Sequence, residues 1–428
     1  MATEDASMQL KESASKPEYS KILPFIICTL AAFFYLYEFF LRVMPGAVAH
    51  ELMHDFSTRA AGLGILSSMF YWGYTPMQVP AGLLLDKFGP KKVLTISVFL
   101  CALSSFIFGM TSSLTVASFT RLILGVCSSF AYLGALILAA RWYPPKNFAF
   151  IAGLVQVLGC FGAFVGLAPV AAAAQTIGWR ATMSIAGMVC VVLSLLFWFF
   201  IRDYPPKHPH HTSKPSFSLR EQLNIVCSNK QTWWIALHAF TTWAPITVIG
   251  DLWGAPFLRA EYGLSNVEAT SCTTILWAGI AIGGPILGWM SDAIGSRCKL
   301  LTLGSVLGLI SSMAIIYWHV PWFVLMLSLF TFGVAASSQA ITFGALQDHM
   351  PPHVAGTAVG FNNMAIIFGG ITVQPLVSYL LDLRLVDSTA YAAADYRAAF
   401  FLVPLIFALG ILVSKFGIRE THCKVQYE

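Results

Sequence analysis

Charge is what this chain of 428 residues has least of: Asp, Glu, Lys and Arg make up 11%, against 57% hydrophobic residues. Soluble domains carry about 25% charged residues, so a set of soluble domains is excluded. Alternation of apolar and polar residues at every second position is also missing, which argues against a transmembrane β-barrel. The nine cysteines include no C-x-x-C pair, and Cys28, Cys101, Cys127, Cys160, Cys190 and Cys272 lie inside apolar runs. Disulfides and a zinc site are therefore not expected. No G-x-S-x-G, phosphate loop or metal-ligand cluster occurs, so neither enzyme activity nor a cofactor is expected. The run "HPHH" (His208 to His211) sits among Pro and Lys in a polar stretch and reads as solvated linker.

What the sequence does have is long apolar runs. A helix needs about 20 such residues to cross the hydrocarbon. Twelve runs qualify: 22–44, 59–85, 93–111, 114–141, 147–172, 180–201, 232–258, 267–290, 299–319, 322–346, 355–380 and 397–416. The first has no small-residue cleavage site after it and reads as a spanning helix, not a signal peptide. The expected fold class is an all-α membrane protein of twelve transmembrane helices. Polar segments divide it into an N-terminal tail (1–20), a six-helix bundle (21–201), a linker (202–230), a second six-helix bundle (231–416) and a C-terminal tail (417–428).

Lysine sets the orientation. With the N-terminus in the cytoplasm, all thirteen Lys, from Lys11 to Lys424, fall on the cytoplasmic side. Arginine follows less strictly, with Arg59, Arg180, Arg259, Arg384 and Arg397 near outer ends. The positive-inside rule places both termini in the cytoplasm. The net charge of +5 is explained by this bias and gives no reason to invoke nucleic acid.

The two halves repeat at an offset of 206 to 207 residues. "GLLLDKFGPKK" follows the second run and "GWMSDAIGSRCK" the eighth, matching Asp86 to Asp292. Pro144 and Pro145 match Pro351 and Pro352; Gly153 matches Gly360 and Pro169 matches Pro375. Six helices return each half to the same side, so the repeat is parallel and its pseudo-twofold axis runs along the membrane normal. The glycines of the fifth and eleventh runs read as places where helix backbones approach closely.

The repeated G-x-x-x-D-x-x-G-x-K/R-K loop resembles the signature of the major facilitator superfamily of secondary transporters. "RLILGVCSSF" (Arg121 to Phe130) resembles its fourth-helix motif, and "GLVQVLGCFGAFVG" its fifth-helix motif without the Gly-Pro of the stricter antiporter form. "YEFFLRVMPG" with "YWGYTPMQVPAGLLLDKFGPKK" is similar to nutrient carriers of intracellular gammaproteobacteria, the phagosomal-transporter-like group. The resemblance implies a bacterial cytoplasmic (inner) membrane and alternating access. It also implies that Asp86 latches onto the start of the eleventh helix, around Ala355 to Ala358, when the cytoplasmic side closes, with Arg141 as a further partner. Carboxylates at Asp86 and Asp292 suit such a gate, because free amides at a helix N-terminus favour negative charge. The alternative is that these loops only anchor topology.

Charges that break the repeat are the candidates for recognition. Counterparts of Glu38, Arg42 and Arg121 at the repeat offset are Ala244, Val248 and Leu327, none of them charged. At 1.5 Å per residue, Glu38, Arg42 and Arg121 lie roughly 7, 13 and 10 Å outward of their midplanes, one common level. The resemblance places helices 1 and 4 along the central cavity. A charge left facing lipid costs several kcal/mol, so these groups should face each other or a wet cavity. The expectation is a buried triad, Arg42–Glu38–Arg121, of net +1. Its planar guanidiniums suit a substrate carboxylate, and Glu38 competes for them until it is protonated. The alternative is a static Glu38–Arg121 brace, with Arg42 snorkelling to the outer headgroups.

Tyr35, Tyr132, Trp243, Gln339 and Asn362 are secondary candidates for the cavity, beside Asn363 and Gln374. Aromatics there also serve as packing, and amides as interhelical glue. Asp251 aligns with Pro45 near the outer end, where it is expected to be wetted and part of an outer gate. His238 is expected to make a helix–helix hydrogen bond. The resulting expectation is a monomeric carrier in the lipid bilayer that imports a small anionic or zwitterionic nutrient with protons: an amino acid, a short peptide or an organic acid. Alternatives are a carboxylate-siderophore transporter, a drug:proton antiporter, or a non-transporting sensor on the same fold.

Overall fold

A computed structural model describes residues 22–205, 218–384 and 391–426. The N-terminal tail with its lysines and linker residues 206–217, the HPHH run among them, lie outside the described residues. Within them the chain is helical and has no strand. Eleven helices are long and apolar enough to cross a membrane. They are α1 (Ile22–Ala47), α3 (Pro90–Met110), α4 (Leu114–Trp142), α5 (Pro145–Ile177), α6 (Trp179–Phe200), α7 (Lys230–Tyr262), α8 (Asn266–Ile294), α9 (Arg297–Tyr317), α10 (Trp322–Asp348), α11 (Ala355–Asp382) and α12 (Ala393–Gly417).

The expected segment 59–85 forms α2, which is made of Ala60–Met77 and, beyond a break at Gln78 and Val79, Pro80–Phe88. Two features set it apart. Pro80 has no N–H to continue the ladder, and the Gln78 N–H turns back to the Thr75 carbonyl at 3.2 Å. Tyr71, Tyr74 and Gln78 also make the segment more polar than its neighbours.

Burial is inverted relative to a soluble protein. Phe99, Met188, Phe199, Trp289, Ile310, Leu412 and Phe416 lie exposed on the outside. Glu38, Arg42, Arg121 and Asp251 are inside, at 0, 3, 2 and 1% exposure. That distribution is what lipid as the outer solvent requires.

Equivalent helices pair alike in the two halves. α1 packs on α5, α2 on α4 and α3 on α6; α7 packs on α11, α8 on α10 and α9 on α12. Glycines make the approach close. A Cβ on Gly73 or Gly125 would overlap the facing backbone of α4 or α2, and Gly162 lies against the Leu36 carbonyl of α1. Gly279, Gly333 and Gly369 repeat these three contacts in the second half, at offsets of 206 to 208 residues. Between the halves, α2 packs on α11 and α5 on α8.

These contacts give a paired test. Gly162→Ala should lower the thermal stability of the purified protein by roughly 1–3 kcal/mol, because its methyl group has no free space. Gly153→Ala, on the same helix with nothing within 4 Å, should leave the melting temperature unchanged or slightly raised.

Candidate functional site: a buried charge cluster between the halves

The site starts from Glu38 and Arg42, one turn apart on α1. Spaced (i, i+4) with the acid first, they pair on one helix face, and Arg42 Nη2 donates to Glu38 Oε1. Aromatic rings close around the pair. The Arg42 guanidinium lies 4.4 Å from the Phe39 ring centre, 5.3 Å from Tyr74 and 6.0 Å from Phe70. Arg121 on α4 also approaches Phe70, at 5.0 Å from the ring centre.

Arg121 does not reach Glu38. Its guanidinium donates to the backbone carbonyls of Leu41 and, at 3.3 Å, Arg42. The expected triad is corrected accordingly: Pro45 inside α1 has no N–H to offer the Leu41 carbonyl, which is left free to accept from Arg121. The fourth charge comes from the other half. Asp251 sits in a wide π-turn, Ile249–Trp253, a few residues beyond Pro245 in α7. It is buried, not wetted as expected, and accepts a hydrogen bond from the Tyr71 hydroxyl of α2. Asp251 lies within Coulombic range of both Arg42 and Arg121. With two carboxylates and two guanidiniums the formal charges cancel, which replaces the expected net +1.

Each of the four groups keeps one polar atom without a hydrogen bond: Glu38 Oε2, Arg42 Nε, Arg121 Nε and Asp251 Oδ1. Buried polar atoms without partners are costly, and each calls for a physical reason. The cluster is packed among side chains, with Glu38 and Arg42 facing each other and Arg121 facing backbone carbonyls.

The secondary candidates divide. Tyr35 meets Tyr132 in a tilted pair at 4.9 Å, contacts Phe39 edge-on at 5.1 Å and donates to Gln156 Oε1 at 3.2 Å. Trp243 meets Trp277, which meets Phe39 across the interface at 5.5 Å. These four aromatics continue from the charged cluster. Asn362 instead donates to Thr342 Oγ1 at 2.8 Å, tying α11 to α10, and Gln374 donates to the Thr247 carbonyl. Gln339 Oε1 is buried and has no hydrogen bond. His238 meets Ser305 at 3.2 Å, the expected helix–helix bond.

The family profile of the Major Facilitator Superfamily matches residues 28–375 and, overlapping, 254–422. The chain belongs to the major facilitator superfamily. It is similar to a probable sulfoacetate transporter of Cupriavidus necator, at 25% identity over 85% of this chain and 90% of that one. A probable hexose phosphate transport protein of Chlamydia pneumoniae is 25% identical over 78% and 80%. A probable galactarate/D-glucarate transporter of Escherichia coli K12 is 26% identical over 77% and 83%. In fold it resembles the inward-facing crystal structure of a bacterial homologue of the lysosomal transporter Spinster: TM-score 0.77, 16% identity, 96% of this chain and 100% of that one. This superfamily member is thus a multi-pass membrane transporter of small molecules, and its relatives are transporters, not enzymes.

The two ends of this transporter are held differently. At the end away from the linker the halves meet closely. Asn266 Nδ2 donates to the Ala47 carbonyl at 2.8 Å, the Ala60 amide to Tyr391 at 3.1 Å, and Gly370 lies against the Tyr71 ring. At the linker end, Asn363 Nδ2 donates to Gln78 Oε1 at 2.6 Å. Asp86 there is 70% exposed and pairs with Arg141 of its own half at 3.3 Å. It does not reach the start of α11, where Val354 provides no side-chain cap. Asp292 pairs with Arg297 at 2.7 Å, and Arg297 reaches Asp348 at 3.3 Å.

The sequence reading missed a second acid in each loop. Gly89 (φ +83°) and Gly295 (φ +65°) turn the chain after Asp86 and Asp292, in a region that favours glycine. The next helix then starts beneath an acid that follows the end of the bundle. Asp203 accepts from the Lys91 amide at 2.7 Å; Glu420 accepts from the Arg297 and Cys298 amides at 2.9 and 3.0 Å and from the Ser296 hydroxyl. "IRD" (201–203) and "IRE" (418–420) were the available signal.

Burial disfavours the Glu420 charge, but the hydrogen bonds from Ser296 and the amides of Arg297, His422 and Cys298 prevail, holding the carboxyl below its ordinary 4.5. A depressed folded-state pKa stabilises above the unfolded value and loses that contribution as pH falls through the folded one. Glu420→Gln should therefore lower stability by about 0.5–2 kcal/mol at neutral pH. The difference from the parent protein in thermal unfolding should shrink below about pH 4.5, the unfolded-state value.

Proposed function

We propose that this protein is a proton-coupled secondary transporter that imports a small organic anion by alternating access. The observation that carries the reading is the buried pairing of Glu38 with Arg42 beside Arg121, with a spare N–H on each guanidinium. Planar guanidiniums are suited to carboxylate, sulfonate or phosphate oxygens. The relatives named for sulfoacetate, hexose phosphate and galactarate/D-glucarate all point to anions, which favours an organic acid over a peptide or a neutral amino acid.

In this reading Arg42 and Arg121 bind the anion, while Tyr35, Tyr132 and Trp243 form its aromatic walls. Gln339 and Asn362 line the path in the second half. Glu38 is the proton carrier: ionised it holds Arg42, protonated it releases Arg42 to substrate. Asp86, Arg141 and Asp292 work the linker-side gate, with Asp86 caught here away from the α11 terminus. The molecule is a monomer of twelve spans in two six-helix units related by a pseudo-twofold axis along the membrane normal. It resides in a bacterial inner membrane with both termini in the cytoplasm, which makes the linker side the cytoplasmic side and the present conformation inward-facing.

Proteoliposomes loaded at one pH and diluted into another, with sulfoacetate, glucose 6-phosphate and D-glucarate as probes, test the proposal. Glu38→Gln should bind and exchange anion yet fail to accumulate it when a pH gradient is imposed; uphill accumulation by this variant rejects the coupling role. Arg121→Gln should lose roughly 1.5–3 kcal/mol of anion binding, about 10- to 150-fold in affinity.

A further inference from the structure

The cluster contains a carboxylate for which the single-proton scheme has no use. Asp251 is contributed by the second half, is 1% exposed, and faces ionisable groups of the first half only: the Tyr71 hydroxyl of α2, Arg42 and Glu38 of α1, and Arg121 of α4. Its carbonyl lies against Gly46, so the π-turn that carries it is wedged into the end of α1. One carboxylate oxygen accepts from Tyr71 and the other has no partner.

Resting on the anion-transport reading, we propose that Asp251 is a second proton-binding site, and that the transporter takes up a doubly charged anion together with two protons. The argument is charge conservation in a dry compartment. Two carboxylates balance two guanidiniums, and an unbalanced charge buried away from water is prohibitively costly. An anion that binds the guanidiniums must displace an equal negative charge. Glu38 can give up one by taking a proton; a second charge on the substrate requires Asp251 to take another.

Geometry makes the second event depend on conformation. Opening the end away from the linker separates α2 from α7, which breaks the Tyr71–Asp251 bond and moves both arginines away from Asp251 together. Ionised Asp251 then loses every partner it has in the closed form. Protonation at Asp251 is thereby tied to the opening of that end, and protonation at Glu38 to the release of Arg42. Each is a proton transfer from hydronium in the aqueous phase: its O–H bond breaks, releasing water, and an O–H bond forms on the carboxylate oxygen.

The test uses the full-length protein without substrate, so that it does not rely on finding one. Infrared difference spectra between acidic and alkaline buffer should show two buried carboxylic-acid C=O bands in the parent. One should vanish in Asp251→Asn and the other in Glu38→Gln. Tyr71→Phe, which retains the carboxylate and the ring, should shift the Asp251 titration and leave that of Glu38 in place. Spectra of Asp251→Asn identical to the parent overturn the proposal. If that variant does not fold, a Tyr71→Phe protein in which neither band moves overturns it equally.

Proton uptake on anion binding supplies the second arm, measured with a pH dye in weakly buffered detergent solution. D-Glucarate and sulfoacetate, both doubly charged, should each draw close to two protons into the parent protein and one into Asp251→Asn. A stoichiometry of one in both proteins rejects the second site. Failure of both probes and of glucose 6-phosphate to bind at all rejects the anion reading, while the infrared bands still decide whether Asp251 takes a proton.

Discussion

A guanidinium buried in a membrane protein must always have an anion within reach, and the organisation of this transporter follows from that requirement. Arg42 meets it on its own helix through Glu38; Arg121 meets it with the Leu41 and Arg42 carbonyls beside Pro45 of α1 and the nearby charge of Asp251. Because those partners sit on different helices, and one of them on the other half, any rearrangement that parts α1 from α7 reassigns the partners of the arginines. Recognition and movement draw on the same small set of ionic contacts. An anion from outside is then a substitute partner, and the molecule does not need a separate sensor to register that it has bound.

The aromatic shell sets how strongly that requirement is felt. Phe39, Phe70 and Tyr74 stand around Arg42, and Trp277 closes the layer from α8. Rings of this kind supply a modest cation–π attraction while keeping water away. Excluding water strengthens each remaining electrostatic contact and raises the cost of any group left alone. The same layer lies between the charges and the paired rings of Tyr35 and Tyr132, so the cluster and its aromatic neighbours form one continuous surface.

Much of this was legible in the sequence, and the reason is lipid. A segment that must bury its own backbone in hydrocarbon leaves a long apolar run, so eleven helices stand close to the expected ranges. The exception, 59–85, is the segment that trades hydropathy for Tyr71, Tyr74 and Gln78, of which Tyr71 and Gln78 bond across the interface between halves. Charges that the repeat did not copy pointed to Glu38, Arg42 and Arg121, and all three are buried. Their pairing was not legible. Depth along a helix gives a level but no azimuth, and the carbonyls that take Arg121 are invisible in a pattern of side chains. Asp251 was misjudged for a related reason: alignment with Pro45 gave its level, where its carbonyl does lie against Gly46, but not that α1 and α2 cover the side chain. Asp203 and Glu420 were hidden because they lie in the polar linker and the C-terminal tail, where an isolated acid resembles any solvated residue.

The glycines that let helices touch within each half settle where the molecule can flex. Gly73, Gly125 and Gly162, and their counterparts Gly279, Gly333 and Gly369, place main chain against main chain, a joint without rotatable bonds. Across the midline the contacts are mostly made by side chains such as Tyr71, Asn266, Tyr391 and Trp277, which can turn about their χ angles and find new neighbours. Compliance is therefore distributed unevenly: each half behaves as a stiff block, and the hinge between the blocks is built from rotamers.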